Sequence, residues 1–468
     1  MKRLNILISM ALFAALLLSA CNNSNSSNRS PSNTTPDSAD SSSGQADNAA
    51  DPSSEQQDIT LVVWVGGLNS SEEIEMEKEK KEKEGKPLEG QVAATNNLIT
   101  EFEKLHPGVK VKLENHGWGE ELTQNVQRAV LGGTAPDVVA GESQVADFTK
   151  LGAYKDINID DMKDDIIPGT IKSATRDGKV YGLPLKSGTF ALQYNKDVLR
   201  KAGYDPDKDI PKTWDQLLEM SQAITKKGNG EYYGFMIEPV QGTGSMFRFH
   251  PWLQQLGSDF GTPDGDVRFN TPEALQVYEF QRKLSLTSPP GAAAMNDDGQ
   301  ILSVLHSGKV AFQIDGPWQI DWAKGNKCDC GYARMPVPAE GKTGNSIIGN
   351  AIYSVLRDSK HLEMAEAFVK FIASPEGQAA QMKEMAILPV NKKALDLVPD
   401  YFTRYPEMKV FYEELEQAVN LAPLPEFKKN SSKIIDVWTT LKTLIFDPKK
   451  DIKDSAGKAQ EDAENQLK

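Results

Sequence analysis

Apolar positions change their period several times along this chain, and the changes mark its elements. Ile59 to Val65 is a nearly continuous apolar run that ends in Gly66-Gly67. Such a run predicts a parallel strand covered on both faces, followed by a turn where the backbone can approach a ligand. Ser70 to Lys86 is dense in Glu and Lys, with Ile74 and Met76 as its clear apolar pair, and predicts a solvated helical insertion. Leu98 to Leu105 has helical spacing and is stopped by Pro107-Gly108, after which Val109 to Leu113 alternates as a strand. Leu122 to Leu131 is again helical, and Gly132-Gly133-Thr134-Ala135-Pro136 turns into a strand at Asp137-Val138-Val139. Strand alternating with helix is the pattern of a parallel α/β sheet.

Helix starts recur further along. Thr213-Trp214-Asp215-Gln216 reads as a capping box, with threonine and glutamine each serving the other's backbone donor. Thr271-Pro272 and Ser374-Pro375 pair an N-cap residue with proline at the first helical position. These place helices starting near 214, 272 and 375, and polar Asp451 to Lys468 predicts a final surface helix.

The N-terminus has a different character. Lys2 and Arg3 precede an apolar stretch, Ile6 to Leu18, too short to span about 30 Å of hydrocarbon comfortably. Leu18-Ser19-Ala20-Cys21 follows and resembles the lipobox of bacterial lipoproteins. The resemblance implies a signal peptide over 1–20 and a lipid on Cys21; an ordinary signal peptide or a single anchor helix are the other readings. Each buried acyl methylene contributes about 0.8 kcal/mol to membrane attachment. Residues 22–57 are almost wholly Asn, Ser, Thr, Asp, Pro, Gln and Ala, too polar to offset the entropy of ordering, and predict a flexible leash.

Composition bounds the rest. About 410 residues remain beyond the leash, more than one ordinary domain holds, so two lobes are expected. A net charge of −14 argues against nucleic acid as a partner. Of three cysteines, Cys21 is committed and Cys328-Asp329-Cys330 remains. With five scattered histidines it makes a poor zinc site; a disulfide across one residue and a plain turn both stay open. Neither metal nor cofactor is expected, and no segment after the leash is apolar enough to cross a membrane.

The order of segments resembles the family-1 extracellular solute-binding proteins, the sugar-binding subunits of ABC importers. The likeness is carried by Glu101 to Val111, Gly132 to Val139, Gly178 to Pro184 and Tyr194-Asn195-Lys196-Asp197. It continues in Pro211 to Asp215, Ile314-Asp315-Gly316-Pro317-Trp318 and Ser374-Pro375-Glu376-Gly377, and spans about 58–468. It implies an α/β, two-lobed fold of the periplasmic-binding-protein kind, with a hinge and a ligand cleft between lobes. Lobe 1 would take 58–184 plus 346–415, and lobe 2 would take 185–345 plus 416–468. It also implies a carbohydrate ligand, an oligosaccharide by the number of aromatics, with ABC permease subunits and a cytoplasmic ATPase as partners. The chain would act as a monomer, lipid-anchored on the extracellular face of a cell without an outer membrane.

Sugars stack their C–H faces on aromatic rings and require donors and acceptors for their hydroxyls. The residues expected at the cleft are Trp318, which matches the family's stacking tryptophan, and Asp315 before it. Glu142 and Gln144 follow the Asp137 strand, where ligands bind outside the carboxyl ends of open sheets. Lys186 and Thr189 lie at the lobe crossing, Trp118 sits between glycines, Trp252 falls where relatives place a second-lobe aromatic, and Asn350 and Tyr353 follow Gly349. Trp64 and Trp214 are expected in the core. Two rivals stand beside this reading: a same-fold binder of a non-sugar solute, and a secreted glycosidase. The glycosidase has little support, because no motif fixes a carboxylate pair across a bond.

Overall fold

The computed structural model describes residues 58–468 apart from 118, 142–143, 238–241, 263, 296–297, 340–345, 347–348, 418–426 and 428–430. Its strands in chain order are β1 (Ile59–Val65), β2 (Val109–Asn115), β3 (Val138–Gly141), β4 (Thr175–Arg176), β5 (Lys179–Val180) and β6 (Leu183–Gly188). They are followed by β7 (Ala191–Asn195), β8 (Tyr233–Met236), β9 (Val310–Asp315), β10 (Cys330–Ala333) and β11 (Gly349–Val355). Apart from the β4–β5 hairpin they form two sheets, ordered β2-β1-β3-β11-β6 and β10-β7-β9-β8.

β1 pairs in parallel with β2 and β3, as its continuous apolar run predicts. β11 lies antiparallel between β3 and β6. The helix Gly90–Leu105 buries Leu98 and Phe102 on the first sheet, where the Phe102 ring meets Phe368 edge-on at 5.1 Å. In the second sheet β8 runs parallel to β9, while β7 is antiparallel to both β9 and β10. Its core gathers Trp214, Trp252, Phe260, Phe280 and Trp438. At Gly234 in β8 the helix Trp214–Gly228 comes so close that an added Cβ would lie 2.1 Å from the Ser221 carbonyl oxygen.

A third apolar cluster joins Ala191 and Ile320 of the second-sheet side with Met382, Tyr401 and Phe411, and Tyr332 packs against it. Two expected lobe limits therefore move. Residues 185–188 complete β6 in the first sheet, so this crossing falls at Thr189-Phe190 and not at 185. The helix Met408–Gln417 sits on the second sheet, with Phe411 against Tyr332 at 5.7 Å and the Glu414 carboxylate accepting from Met335 N at 2.7 Å.

Helix starts follow their caps. Ala274 N donates to Thr271 Oγ1 at 3.2 Å and Gly377 N to Ser374 Oγ at 3.1 Å. At 213 only half of the expected box forms. Gln216 N donates to Thr213 Oγ1 at 3.3 Å, but the glutamine oxygen accepts from Lys212 N at 2.8 Å, one residue before the cap. The final helix, Ile452–Leu467, is capped by Asp451 and buries Ile452, Ala456, Ala459 and Ala463, so it is amphipathic and not a wholly surface element.

The charged insertion forms the helix Ser71–Glu84, capped reciprocally by Ser70 and Glu73 and ended by Gly85 in the left-handed region at φ 66. Ile74 is buried and Met76 exposed. Its N-terminus also closes the outer side of β2. There Leu113 N donates to Ser71 Oγ at 2.9 Å, and beside it Val111 N donates to Glu103 Oε1 of the helix Gly90–Leu105 at 3.0 Å. Cys328 and Cys330 form a disulfide, which settles the two readings left open by the sequence.

Candidate functional site

The pairing registers bring the chemistry to one edge of each sheet. β1, β2 and β3 are parallel, so Gly66-Gly67, His116-Gly117 and the end of β3 at Gly141 all lie on the same side of the first sheet. β11 and β6 bring Gly349 and Gly188, which face each other, to that side too. In the second sheet Ala191 pairs with Asp315, so the start of β7 and the end of β9 share an edge. Thr189-Phe190 links the two edges directly.

On the second-sheet edge the 3-10 turn Pro317–Gln319 presents Trp318, which is 42% exposed among apolar residues that are otherwise mostly buried. Its ring lies so close over Gly316 and Gly188 that an added Cβ would be 2.2 Å from Cη2 or 2.8 Å from Cζ3, respectively. Phe190 meets it edge-on at 5.8 Å. The Gly316 peptide groups are held on both sides: the N–H donates to Asp315 Oδ1 at 2.7 Å, and the carbonyl accepts from Gln193 Nε2 at 3.0 Å. Arg248 Nη1 donates to Asp315 Oδ1 at 3.3 Å. All three side chains are buried, so the ring is oriented before any ligand arrives.

On the first-sheet edge Gly67 takes φ 78, open to glycine at little cost. Lys186 Nζ reaches its carbonyl at 3.4 Å from a partly exposed position. Burial of the Lys186 stem pulls its ammonium below the usual lysine range, opposed by the Asp321 carboxylate. Asp321 itself accepts from Ala386 N at 3.2 Å and is pushed up by burial.

Four expected contacts prove to be supporting groups. Trp252 is 3% exposed, wedged between Trp214 at 5.6 Å and Phe280 at 5.4 Å, so it is second-lobe core. Tyr353 is buried, and its hydroxyl donates to Gly66 O at 3.1 Å and accepts from Gly66 N, fixing the turn from beneath. Thr189 is buried and donates to Ser346 Oγ at 2.7 Å. Asp315 is buried beneath the tryptophan turn and not offered to a ligand. Trp318 and Lys186 stand at the shared edge. Cys21, Trp118 and Glu142 lie outside the described residues, as do the side chains of Gln144 and Asn350. Trp64 and Trp214 are core, as expected, and Trp438 is buried with Nε1 donating to Ser245 Oγ at 2.7 Å.

Gln193 and Arg248 escaped sequence reading. A lone amide within the apolar strand Ala191-Leu192-Gln193-Tyr194 was the signal for the first; nothing local marks the second. Among the described residues no group of three or more His, Cys, Asp or Glu could hold a metal ion. A surface concavity of about 480 Å³ along Leu362, Glu366 and Lys370 shares no residue with this edge.

This two-sheet arrangement has counterparts. The sequence model described as bacterial extracellular solute-binding protein matches residues 85–379, and the chain belongs to that family. The galactooligosaccharide-binding protein of Bacillus subtilis is 24% identical over 384 residues, covering 80% of this chain and 86% of that protein. The maltooligosaccharide ABC transporter solute-binding lipoprotein of Streptococcus pneumoniae is 25% identical over 396 residues, covering 79% and 85%. Among solved structures, the GacH receptor of Streptomyces glaucescens, solved unliganded and with acarbose, superposes with a TM-score of 0.69 at 24% identity. That match covers 87% of this chain and 98% of the receptor, and it establishes the two-lobed fold.

Proposed function

We propose that this chain is the membrane-tethered, extracellular solute-binding subunit of an ABC importer, and that it captures an oligosaccharide between its lobes. The exposed Trp318 ring, fixed over Gly188 and Gly316 where the sheets meet, carries the reading. It offers a preset apolar face to a sugar ring, and Lys186 and the Gly66-Gly67 turn offer polar groups from the opposite edge. The relatives' oligosaccharide ligands support the same class.

In this mechanism sugar binds the open form, and the lobes close about the crossings to shield its hydrogen bonds from water. Ligand favours closure only to the extent that it binds the closed form better. The closed form docks on a permease pair driven by a cytoplasmic ATPase and releases its cargo unchanged, so the chain performs no catalysis. A lipid on Cys21 holds it outside a cell that lacks an outer membrane, and the chain works as a monomer.

The test is calorimetry of the purified chain against maltooligosaccharides and galactooligosaccharides, with X-ray scattering of the same samples. Saturable binding with a fall in radius of gyration is expected. Absence of binding to both series would refute the oligosaccharide reading; binding without compaction would refute the hinge.

A further inference from the structure

We propose that Phe247 forms a second aromatic wall of the sugar site, joined to Trp318 through the Phe190 ring, and that it takes the sugar unit next to the one on Trp318. The inference rests on the oligosaccharide reading above. β8 runs parallel to β9, with Met236 opposite Gln313, so both strands run toward the edge that carries Trp318. The helix Gly242–Gln255 follows β8 and is pinned at this edge by two consecutive residues. Arg248 Nη1 donates to Asp315 Oδ1 at 3.3 Å beneath the tryptophan turn, and its guanidinium lies 5.9 Å from the centre of the Phe190 ring. Phe247 meets the same ring at 5.1 Å, tilted by 58°.

Phe190 therefore links two aromatics. It is buried, and its other contact is with Trp318, edge-on at 5.8 Å. Trp318 and Phe247 lie no further apart than these two contacts laid end to end, and both keep part of their surface in water. Met246, Arg248 and Phe249 are buried, which leaves Phe247 as the partly exposed residue of this turn. A ring leaning on a buried aromatic is oriented before ligand arrives, and the C–H face of a sugar stacks on such a surface. One tryptophan serves one unit of a chain; the neighbouring unit needs an apolar face of its own, and Phe247 supplies it.

Calorimetry on the full chain would compare wild type with Phe247→Ala, Phe247→Leu and Phe247→Tyr against maltooligosaccharides and galactooligosaccharides, from disaccharide to hexasaccharide. Leucine keeps apolar bulk against Phe190 but has no ring face, whereas tyrosine keeps the face. Phe247→Ala and Phe247→Leu should bind about three- to tenfold more weakly from the disaccharide upward, and Phe247→Tyr should stay within about twofold of wild type. Near-ultraviolet circular dichroism of unliganded Phe247→Leu should keep the wild-type tryptophan signal, because the Trp318 platform stays in place. Wild-type affinity in Phe247→Leu, a loss in Phe247→Tyr equal to that in Phe247→Ala, or a loss accompanied by a displaced tryptophan signal overturns the proposal and leaves the oligosaccharide reading intact. If wild type binds neither series, both fall together.

Discussion

Gly316→Ala is a one-carbon test of the Trp318 platform. Gly316 has φ −98 and ψ 176, extended backbone open to any residue, so the methyl adds no backbone strain. It would, however, stand 2.2 Å from Cη2, 2.3 Å from Cζ3 and 2.5 Å from Cζ2 of Trp318. Carbon atoms rest about 3.5–4.0 Å apart, so the ring must move by about 1.5 Å. It is already 42% exposed and has room to swing outward, so the fold should lose less than about 1 kcal/mol. Binding should lose the stacking term of about 0.5–1.5 kcal/mol, a weakening of about three- to tenfold. Gly188→Ala is the graded control, because its methyl would be 2.8 Å from the same ring and should weaken binding less. Calorimetry gives the affinities, near-ultraviolet circular dichroism reports the ring, and thermal unfolding checks the fold. A ring signal that shifts in Gly316→Ala while oligosaccharide affinity stays at the wild-type value would refute the platform.

Three further outcomes are expected. Glu414 is buried, accepting from Met335 N at 2.7 Å with Arg334 Nε at 3.5 Å, and burial raises its carboxyl above the usual 4.5. A carboxyl that binds its proton more tightly when folded costs stability as pH rises through its folded pKa, and costs nothing below the unfolded value. Glu414→Gln should thus match wild type in urea unfolding below about pH 4 and exceed it above, by about 1.4 kcal/mol for each pH unit between the two values; an advantage confined to low pH would contradict this. Gly234→Ala drives a methyl to 2.1 Å from backbone that is itself helical, and should destabilise by about 1–3 kcal/mol or more, read from the denaturation midpoint. Cys21→Ser should move the protein from the membrane fraction to the medium, and retention in membranes would sink the lipid tether.

Sequence periodicity was a sound guide where neighbours along the chain decide the outcome. The run Ile59–Val65, the caps at Thr271 and Ser374 and the stop at Pro107-Gly108 all act over a few residues, and each formed the expected element. Side-chain direction was less legible. Trp252 and Trp318 both lie near apolar segments, yet one is enclosed by Trp214 and Phe280 from distant parts of the chain and the other lies in water. Tyr353 and Thr189 were placed near the right edge, but whether their hydroxyls faced a ligand or Gly66 and Ser346 depended on strands far apart in sequence. The limit of the first lobe shifted for the same reason, since β6 is recruited by β11 more than 160 residues later.

Under the proposed lipid tether, the closed flank of β2 bears on life at a crowded surface. An edge strand with free N–H groups invites a second copy to extend the sheet, and tethering raises the local concentration at which such encounters occur. Here Val111 and Leu113 have already given those N–H groups to Glu103 and Ser71, while Lys110 and Lys112 point outward between them. Under the proposed tether, copies held side by side would find these two N–H groups already taken, one by the charged helix and one by the helix Gly90–Leu105, and so closed to another strand.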